Sequence, residues 1–552
     1  MTFSLTPGLI YIVAGLFSFL LKGKINKLFV LIVPVIAFVQ LLSLSSESSF
    51  TTTFLMQQLE FLRVDKFSMV FAYVFIISSF AAFLYGITFA KKMEYSSALI
   101  YIGSALSVIF AKDLITLYIF WELMAISSTM LILLNGGNKS LKASIRYIIV
   151  HIVGGLILLA GIMLHIHQTG STEFIQFKIQ NLSTWLMLVG ILVNAAAIPF
   201  SSWMPDAYPE STIMGGVILS AYTSKTAVYT LIRGFSGWEI LIWLGVAMAI
   251  YGVIYGLMEN NIRRVLAFSI INQIGFMVCA IGVGTPLAIA GACAHAFSHI
   301  IYKGLLWMSA GSVIKQTGKT LYTDLGGLYY KMPFTFIFGL VGALACSSFP
   351  FISGFTTKSI ILKAVEYEHL FWPWLWLEIA SVATFLLLGL KFIYFIFFGK
   401  NKDLQVNEAP KTMLISMGIL SFICIYIGCS PINLYEILPN SKYVLEKVDS
   451  NFYQIYIAHF PYLITKFQML FFSILAFIIF LPNLVRTNTI SIDFDWFYRR
   501  LFRYVFVFII SFIDFIYQLI NNVFMKLING SSKFLNNSIP SIVYIFNVPY
   551  LR

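Results

Sequence analysis

Long apolar segments separated by short polar connections follow one another along almost the whole chain, and they restrict its fold more than any other feature. Because lipid offers no hydrogen-bond partners, segments of this kind form helices, whose backbone groups pair internally. Charged residues make up only 11% of the 552 residues, about half the share of a soluble domain. The sequence therefore predicts an all-α polytopic membrane protein. We count about fifteen spans and expect a sixteenth over 502–528; the fifteen are 9–21, 27–44, 67–89, 96–111, 113–134, 145–167, 183–200, 212–233, 238–258, 264–284, 286–313, 333–350, 371–398, 412–430 and 460–482.

Two of the predicted spans are interrupted by proline, in NAAAIPFSSWMPDAYPE (194–210) and in ACSSFPFISGFTTKS (345–359). Proline removes a backbone donor, and the carbonyls it frees need polar neighbours or water. Two breaks at corresponding places predict an internal repeat with discontinuous helices, as in ion transporters; two unrelated kinks are the alternative. We expect about 14 core transmembrane helices followed by about 2 C-terminal ones. The expected parts are N-terminal helices in 1–95, five-helix repeats in 96–235 and 236–400, and a peripheral C-terminal transmembrane extension in 401–552.

The formal net charge of +13 does not indicate a nucleic-acid site, because the basic residues are spread over short connections. By the positive-inside rule the odd-numbered connections are cytoplasmic, so the N-terminus is outside. The expected location is the inner (plasma) membrane of the cell. The even-numbered connections through the twelfth hold five Lys or Arg, namely Arg63, Lys66, Lys112, Lys178 and Arg233. The odd-numbered ones hold sixteen, namely Lys22, Lys24, Lys27, Lys91, Lys92, Lys139, Lys142, Arg146, Arg263, Arg264, Lys315, Lys319, Lys331, Lys400, Lys402 and Lys411.

The cysteines do not indicate a metal or redox site. They lie within or at the ends of apolar spans, without the spacing of a metal site, and are expected to be small buried hydrophobic residues. No haem, iron–sulfur or dinucleotide-binding motif is recognisable. We therefore expect neither a cofactor nor a metal in this chain. The five cysteines are Cys279, Cys293, Cys346, Cys424 and Cys429.

Three isolated ionisable residues within the spans are functional candidates. An ionisable side chain inside lipid costs about 2.5–3.5 kcal/mol on insertion scales, so it indicates function by default. Glu122 and Lys225 lie near the middle of their spans, where a carboxylate takes up a proton and a lysine releases one readily. For Glu122 the alternative is a helix–helix hydrogen bond. Lys358 follows the second break directly, and its alternative is an interfacial lysine at a helix end.

A further stripe of protonatable residues lies in AHAFSHIIYKGLLWMSAG (294–311). His295, His299 and Lys303 are four residues apart, so on a helix each is offset from the last by about 40° and the stripe is about 12 Å long. Histidine titrates near neutral pH, which suits a relay. A single histidine is more often a core residue, but three groups in line predict the middle of a proton path.

The remaining ionisable residues of the spans, His151, His165, His167 and Lys391, are weaker candidates. His165 and His167 lie at the end of their span, where a histidine needs no special role, and His151 is placed to join a polar track. Charges that share a low-dielectric core shift each other's proton affinity, so a proton that arrives at one site favours release from its neighbour. The set of residues therefore predicts proton conduction coupled to an external event.

Six ordered motifs lie between residues 65 and 430: FWELM (120–124), IPFSSWMPDAYPE (198–210), LSAYTSKTAVYTLIR (219–233), ENNIRRVLAFSIINQIGFM (259–277), HAFSHIIYKGLLWMSAGSVI (295–314) and FPFISGFTTKSIIL (349–362). In these motifs the chain resembles the antiporter-like, proton-conducting membrane subunits of respiratory complex I and of multisubunit monovalent cation/proton antiporters. AYPE and TAVYTLIR look closest to the antiporter D subunit, and the HAFSHIIYK run is also similar to the largest antiporter-like subunit of complex I. The resemblance implies that Glu122 is the key glutamate, Lys225 the lysine after the first break, Lys303 the central lysine and Lys358 the lysine after the second break.

The chain departs from the pattern of this family at Asn194, five residues before the proline of IPF. In the family a lysine at this position is expected to pair with the glutamate and modulate its proton affinity. Asparagine cannot change charge, so Glu122 holds its proton more tightly or uses Lys225 as its partner. Coupling by the usual route is in doubt, which also allows a specialised or degenerate paralogue.

The function expected from the sequence is a proton-translocating subunit of a multisubunit monovalent cation (Na⁺ or K⁺)/proton antiporter. The first alternative is a proton-pumping subunit of complex I, in which NADH:quinone oxidoreductase activity belongs to the assembly. The second is a degenerate paralogue that serves as a membrane scaffold. The expected partners are other membrane subunits, lipid, protons and monovalent cations, but no nucleic acid. The exchanged cation and the stoichiometry are not specified by the sequence.

Overall fold

The computed structural model of the chain consists almost wholly of α-helices, as the apolar segments require. It describes residues 6–45, 48, 50–54, 57–400, 404–449, 451–458, 460–484, 496, 504 and 507–522. The α-helices are α1 (Pro7–Ser18), α2 (Gly23–Ser43), α3 (Lys66–Gly86), α4 (Lys92–Phe110), α5 (Leu114–Leu133), α6 (Gly137–Thr169), α7 (Leu182–Asn194), α8 (Trp203–Ala207), α9 (Ile213–Leu219), α10 (Thr223–Gly234), α11 (Ile240–Met258), α12 (Ile262–Val283), α13 (Pro286–Thr317), α14 (Pro333–Cys346), α15 (Ser353–Tyr367), α16 (Phe371–Thr384), α17 (Lys411–Cys429), α18 (Ile432–Ile437), α19 (Ser441–Lys447) and α20 (Phe460–Phe480).

Several shorter elements join these helices. After α16 the chain continues in π-helical turns, Phe385–Phe392 and Tyr394–Phe398, and Gln454–Ala458 is a third π-helical segment. Single 3-10 turns occupy Tyr208–Glu210, Tyr322–Asp324 and Leu481–Leu484. The chain divides into two units, residues 1–491 and 492–552. In the second unit the structure describes the helix Val507–Asn522, whose residues are exposed.

Ten of the described helices are long and apolar enough to cross a membrane. The sequence predicts about fourteen core spans because it counts each interrupted segment as one span, whereas the structure divides these segments into shorter helices such as α7 and α14. The multi-pass all-α class is confirmed. The boundaries of the two repeats stay a prediction.

Contacts between connections show that successive spans alternate in direction. The even-numbered connections meet on one face, through contacts between Arg63 and Glu173, Gln176 and Ser236, Lys66 and Glu436, and Lys363 and Lys447. The odd-numbered connections meet on the opposite face, through contacts between Asn135 and Glu210, Asn260 and Tyr322, Gln316 and Glu408, and Lys331 and Leu404. The charge count predicts that the even face is external.

The centre of the larger unit is formed by α12 and α13. The apolar window of α12 is entirely buried, and every residue of α13 from Leu287 to Val313 is buried as well. A helix that is buried on all sides has no lipid-facing surface, so the polar residues of α13 face protein rather than lipid. This position explains how a 32-residue helix can carry two histidines and a lysine in its middle.

The first predicted break lies after α7, which ends at Asn194. The chain then turns through residues 195–202 before the short helix α8. Trp203 donates from Nε1 to the Val193 carbonyl oxygen at 2.9 Å, so one of the carbonyls freed at the end of α7 has a partner inside the protein. Asp206 pairs with Arg146 at 2.7 Å, which holds this connection against the start of α6.

The second predicted break separates α14 from α15 over residues 347–352. Gly354 makes a close approach here, because a Cβ at this position would overlap the Ala345 carbonyl oxygen. Only glycine permits this separation. The two half-helices are therefore held against each other around the proline of the break.

The structure contains a third interruption that the sequence does not predict. Between α9 and α10 the residues 220–222 leave the regular helical pattern, shortly before Lys225. No proline marks this position, which is why sequence patterning treats 212–233 as one span.

A short β-hairpin is the other unpredicted element. Its strands β1 (Thr51–Phe54) and β2 (Gln57–Glu60) are antiparallel, with Thr51 opposite Glu60. The Glu60 carboxylate pairs with Lys112 at 2.5 Å, and both side chains are more than a third exposed. Three consecutive threonines favour a strand over a helix. Because Lys112 lies in the fourth connection, its contact with Glu60 places the hairpin on the even face. Strands of four residues are too short to cross the membrane.

Candidate functional site

His295 connects three helices at the centre of the larger unit. Its Nδ1 atom is 3.2 Å from Thr357 Oγ1 on α15, and its Nε2 atom is 3.2 Å from Gln273 Oε1 on α12. Tyr302, two turns further along α13, donates to the same Gln273 oxygen at 3.2 Å. The imidazole is fully buried. A proton that arrives at His295 therefore has hydrogen-bonded neighbours on both sides.

Lys303 lies at the other end of the stripe and is also fully buried. Its Nζ atom donates to Ser269 Oγ on α12 at 2.6 Å, and Ser269 passes a hydrogen bond to the Leu266 carbonyl at 2.7 Å. Lys303 forms no ion pair with a carboxylate among the described residues, and a buried ammonium without such a partner is costly to keep charged. This environment suits a lysine that exchanges its proton.

His299 occupies the middle of the stripe, and neither of its ring nitrogens has a hydrogen-bond partner among the described residues. Its ring lies 5.3 Å from the Tyr302 ring and 6.2 Å from the His295 ring. Buried polar atoms without a protein partner are usually satisfied by water. The stripe therefore has a direct hydrogen-bonded group at each end and a position suited to water between them.

Lys358 is brought close to the stripe by α15. Its Nζ atom donates to the Cys346 carbonyl oxygen at 3.0 Å, across the second helix break, and lies 4.7 Å from the Phe276 ring. The residue before it, Thr357, contacts His295. Lys358 is 1% exposed. The alternative that it is an interfacial lysine at a helix end therefore does not apply.

Lys225 has a similar arrangement at the third break. Its Nζ atom donates to the Ser220 carbonyl oxygen at 2.6 Å and lies 3.1 Å from Ser224 Oγ. The adjacent turn is held by Tyr101, whose hydroxyl lies 2.6 Å from Thr223 Oγ1. At the second and the third break alike, a buried lysine thus donates to a carbonyl at the end of a half-helix, where the helix dipole favours positive charge.

Glu122 lies apart from the lysines. Its carboxylate packs against Gly155 on α6, where a Cβ would overlap Oε1. The side chain is half-buried, and Oε1 has no hydrogen-bond partner in the part of the chain that the structure describes. No ion pair between Glu122 and Lys225 is found among the described residues. The expected use of Lys225 as the partner of Glu122 is therefore not seen as a direct contact.

His151 lies between Glu122 and the first broken helix. It precedes Gly155 by one turn on α6, and its Nδ1 atom donates to Asn194 Oδ1 at 2.7 Å. The ring packs against Tyr147 and Trp203, at 4.1 Å and 4.6 Å between ring centroids. Nε2 is buried and has no partner in the described residues. The sequence treats His151 as a weak candidate, but the structure places it beside the position of the missing lysine.

The other weak candidates divide into structural and peripheral residues. Lys391 is buried and donates to the Gly256, Leu257 and Glu259 carbonyls at 2.7–3.0 Å, so it caps the C-terminal end of α11. His165 contacts the Phe177 ring, and His167 is exposed at the end of α6. Neither histidine contacts the stripe in the described structure.

Sequence reasoning missed a partly buried ion pair between Glu378 on α16 and Lys466 on α20. The two atoms Nζ and Oε1 are 2.6 Å apart, and the side chains are 16% (Lys466) and 11% (Glu378) exposed. Each residue is an isolated charge inside an apolar span, a pattern that by itself marks a functional candidate. Lys466 is not among the sequence candidates because the segment after residue 430 is expected to be peripheral. Most of α20 is exposed, yet its Lys466 reaches Glu378 on α16.

The described residues contain no group of three or more His, Cys, Asp or Glu side chains that could hold a metal ion. Cys346 and Cys424 are buried free thiols.

Comparison with protein families and sequences gives a consistent result. Residues 111–387 match the family described as "NADH:quinone oxidoreductase/Mrp antiporter, TM". The A subunit of the Na(+)/H(+) antiporter of Alkalihalophilus pseudofirmus is 30% identical over an alignment of 427 residues, and the match covers 67% of this chain and 52% of the relative. The A1 subunit of the Na(+)/H(+) antiporter of Staphylococcus haemolyticus is 29% identical over an alignment of 464 residues, and the match covers 73% of this chain and 57% of the relative. The chain thus spans little more than half the length of these two relatives.

Three solved structures share the fold. A chain of the membrane-bound sulfane sulfur reductase, an archaeal respiratory membrane complex, has a TM-score of 0.72 and 24% identity, covering 98% of this chain and 96% of the other. A chain of the Mrp complex from Dietzia sp. has a TM-score of 0.72 and 18% identity, covering 80% and 97%. A chain of respiratory complex I from Thermus thermophilus has a TM-score of 0.71 and 18% identity, covering 79% and 97%.

Proposed function

Because the chain belongs to the NADH:quinone oxidoreductase/Mrp antiporter transmembrane family, we propose that it is a proton-translocating subunit of a multisubunit monovalent cation (Na⁺ or K⁺)/proton antiporter. It is a multi-pass membrane protein of the antiporter-like kind. In the proposal it works in the plasma membrane with its N-terminus outside, and it binds other membrane subunits. Protons move along a buried path that includes Glu122, Lys225, His295, His299, Lys303 and Lys358.

The observation that carries the proposal is the arrangement of protonatable groups on α13 and α15. Lys303, His299 and His295 follow one another along a fully buried helix, and His295 meets Thr357 beside Lys358. Placing four such groups in the interior costs stability, and a structural role explains none of the four well. Proton transfer along closely spaced exchangeable groups is the function that explains all of them.

The entry side of the path in this proposal is formed by Glu122 and His151. Glu122 reaches Gly155 on α6, and His151 lies one turn away on the same helix with a hydrogen bond to Asn194. Histidine exchanges protons near neutral pH, so His151 supplies the titratable group that Asn194 lacks. Lys225 then follows on α10, behind the third break.

The position within the assembly is the finer part of the proposal. The motifs AYPE and TAVYTLIR favour a D-like position, whereas two curated relatives that align with the chain are A-type subunits. The chain covers only 52% and 57% of those two relatives. On the strength of the motifs we propose the D-like position.

A second candidate is an antiporter-like subunit of a redox-driven membrane complex. The fold of the sulfane sulfur reductase chain covers 98% of this chain, including the segment after residue 430, whereas the Mrp and complex I chains cover 80% and 79%. This difference favours an assembly similar to that archaeal respiratory complex, and in this candidate electron transfer elsewhere drives proton movement. The scaffold alternative is weaker, because a chain that had lost transport would not need the buried lysines.

The identity of the co-purifying subunits separates these candidates. The full chain is tagged, extracted from native membranes in mild detergent, and its partners are identified by mass spectrometry. Small antiporter subunits support the antiporter, and soluble redox subunits support the second candidate. A chain recovered alone, without partners, contradicts both and supports a scaffold or free-standing role.

The purified assembly is then reconstituted into vesicles that contain a pH-sensitive dye, and Na⁺ or K⁺ is added outside. The proposal requires cation-dependent proton flux that Lys303→Ala abolishes while the assembly still purifies. The matched control is Lys315→Ala, on the same helix but exposed, which should leave the flux unchanged. Equal flux in the wild type and Lys303→Ala would contradict the proposed path.

A further inference from the structure

The Glu378–Lys466 ion pair lies between two cavities. The smaller has a volume of about 30 Å³ and is lined by Lys358, Ser347, Ser348 and Ser381 together with the pair. A volume of this size holds about two water molecules. The larger has a volume of about 520 Å³ and is lined by the same pair and by Lys363 and Glu366 on α15, with Asp449. Lys358 lines only the small cavity, and the ion pair lies in the wall that the two cavities share, together with Phe355, Ser359, Leu362 and Met469.

The large cavity lies towards the even face. Lys363 donates to the Lys447 carbonyl at 2.8 Å, which joins the C-terminal half of α15 to α19 in the fourteenth connection. Val448 and Asp449 in that connection line the cavity as well. The route from Lys358 past the ion pair therefore leads to the face that the charge count predicts to be external.

A partly buried ion pair at the wall of two cavities is not explained by stability alone. Removing two charges from water costs more than their attraction returns in many proteins, and apolar residues of similar volume pack at least as well. The rest of α20 is strongly apolar, and its Phe467 ring packs at 5.8 Å from Phe349 of the second break. Apolar side chains such as Phe467 therefore account for the packing of α20 at the break, and the contact of Lys466 with Glu378 calls for another explanation.

We propose that Glu378 is the exit group of the proton path and that Lys466 positions it. This inference rests on the proposed function of the chain. The Lys358 ammonium releases its proton through water of the small cavity to the Glu378 carboxylate, leaving neutral Lys358 and a carboxylic acid. The ion pair with Lys466 breaks when Glu378 becomes neutral. The acid then releases the proton to water in the large cavity, and the pair forms again.

This assignment gives the C-terminal segment a function. The π-helical segment Gln454–Ala458, which precedes α20, is attached to the second break. Its Tyr456 hydroxyl donates to the Gly428 carbonyl at 2.7 Å and accepts from the Phe351 amide at 3.1 Å. Because α20 closes one wall of both cavities, the exit is incomplete without it.

The first test measures cation-dependent proton flux in the reconstituted full assembly. We expect Glu378→Gln and Lys466→Gln each to lower the flux about tenfold or more, since a relay group contributes at least this much. The double variant should be no worse than Glu378→Gln, because the two residues act as a unit. The matched control is Glu60→Gln, which breaks the exposed pair with Lys112 and should leave the flux unchanged. Flux in Glu378→Gln equal to that in the control overturns the proposal.

The second test does not depend on activity. In a Cys429→Ser background, Ser359→Cys reports on both cavities and Ser348→Cys on the small one. A membrane-impermeant cationic thiol reagent should label Ser359→Cys readily and Ser348→Cys slowly, and Glu378→Gln should speed the second reaction about tenfold. Labelling of Ser348→Cys at the same rate with and without Glu378 overturns the separation of the cavities.

The two tests distinguish this inference from the proposed function. If the wild-type assembly shows no cation-dependent flux, the proposed function fails, and the exit relay that rests on it fails with it. The labelling rates then still report whether the ion pair closes the small cavity. If the wild type conducts and Glu378→Gln conducts equally, only the exit relay is overturned.

Discussion

The His151 imidazole donates a hydrogen bond from Nδ1 to the side-chain oxygen of Asn194 at 2.7 Å, and this contact joins α6 to the last residue of α7. Asn194 stands where the sequence resemblance leads us to expect a lysine. The contact therefore puts a titratable ring next to a side chain that cannot titrate. Because Gly155 lies one turn after His151 and touches the Glu122 carboxylate, the ring is on the same face of α6 as that contact.

Replacement of His151 tests whether it acts in place of the missing lysine. We expect His151→Gln to lower cation-dependent proton flux about tenfold or more, because glutamine keeps a hydrogen bond but cannot exchange a proton. His167→Gln, at the exposed end of the same helix, is the control and should conduct like the wild type. Flux in His151→Gln close to that of the control would show that His151 only packs.

Restoring the family lysine tests the same idea in the opposite direction. Asn194→Lys introduces an ammonium next to position 151. When it is combined with His151→Gln, we therefore expect it to recover a large part of the flux that His151→Gln removes. Asn194→Gln, which restores no titratable group, should not. Equal flux in the two double variants would mean that the site no longer contributes to coupling.

The contact between Glu122 and Gly155 gives a steric prediction. Gly155→Ala would place a methyl group in the space that Oε1 occupies, so the carboxylate must move to another rotamer. We expect the flux to fall about tenfold, since a small misplacement of a transfer group costs this much or more. Gly418→Ala on α17 is the control, because its new Cβ would make only ordinary contacts at 3.6 Å with Phe338. A Gly155→Ala variant that conducts normally would place the path elsewhere.

Much of the proposed path is accessible from the sequence because charges inside apolar spans stand out. Glu122, Lys225, Lys303 and Lys358 are all recognisable in this way. The proline-marked breaks are also recognisable, since proline has a local effect on the helix. The line of His295, His299 and Lys303 follows from helical spacing alone.

The remaining features depend on contacts between distant segments. The interruption at residues 220–222 has no proline, and Tyr101 and Lys225 stabilise it from the side. Lys466 is an isolated charge in an apolar span, but only the fold shows that it meets Glu378, 88 residues earlier. His151 likewise has no distinctive spacing, and its role depends on the approach of Asn194.

The hydrogen bond between Lys303 and Ser269 predicts a graded effect at the centre of the path. Ser269→Ala removes the hydroxyl that accepts from Lys303 at 2.6 Å, and we expect about a tenfold to hundredfold loss of flux, the usual worth of a hydrogen bond to a charged group. Lys303→Ala should abolish flux. The control is Ser309→Ala on α13, the helix of Lys303; Ser309 donates a hydrogen bond to the Thr335 carbonyl instead. Equal flux in Ser269→Ala and Ser309→Ala would show that the serine contact does not matter.

Arg263 gives a prediction about stability. It is 5% exposed, and its guanidinium donates to the Pro209, Ser211 and Thr212 carbonyls at 2.7–2.8 Å while it lies 5.2 Å over the Trp307 ring. These contacts fasten the connection after the first broken helix to α12 and α13. Lysine keeps the charge but cannot reproduce the planar fork, so Arg263→Lys should destabilise the folded chain by about 2–4 kcal/mol. Thermal unfolding of the detergent-solubilised protein measures this loss.

The neighbouring arginine supplies the comparison. Arg264 is about a third exposed and makes one ion pair, at 2.7 Å to Glu259, so Arg264→Lys should lower stability by less than about 1 kcal/mol. If the two variants unfold at the same temperature, the guanidinium contacts of Arg263 do not hold the broken helix. If only Arg263→Lys is destabilised and it also conducts poorly, the geometry of the first break supports transport as well as folding. The reason is that Asn194, the partner of His151, lies at this break.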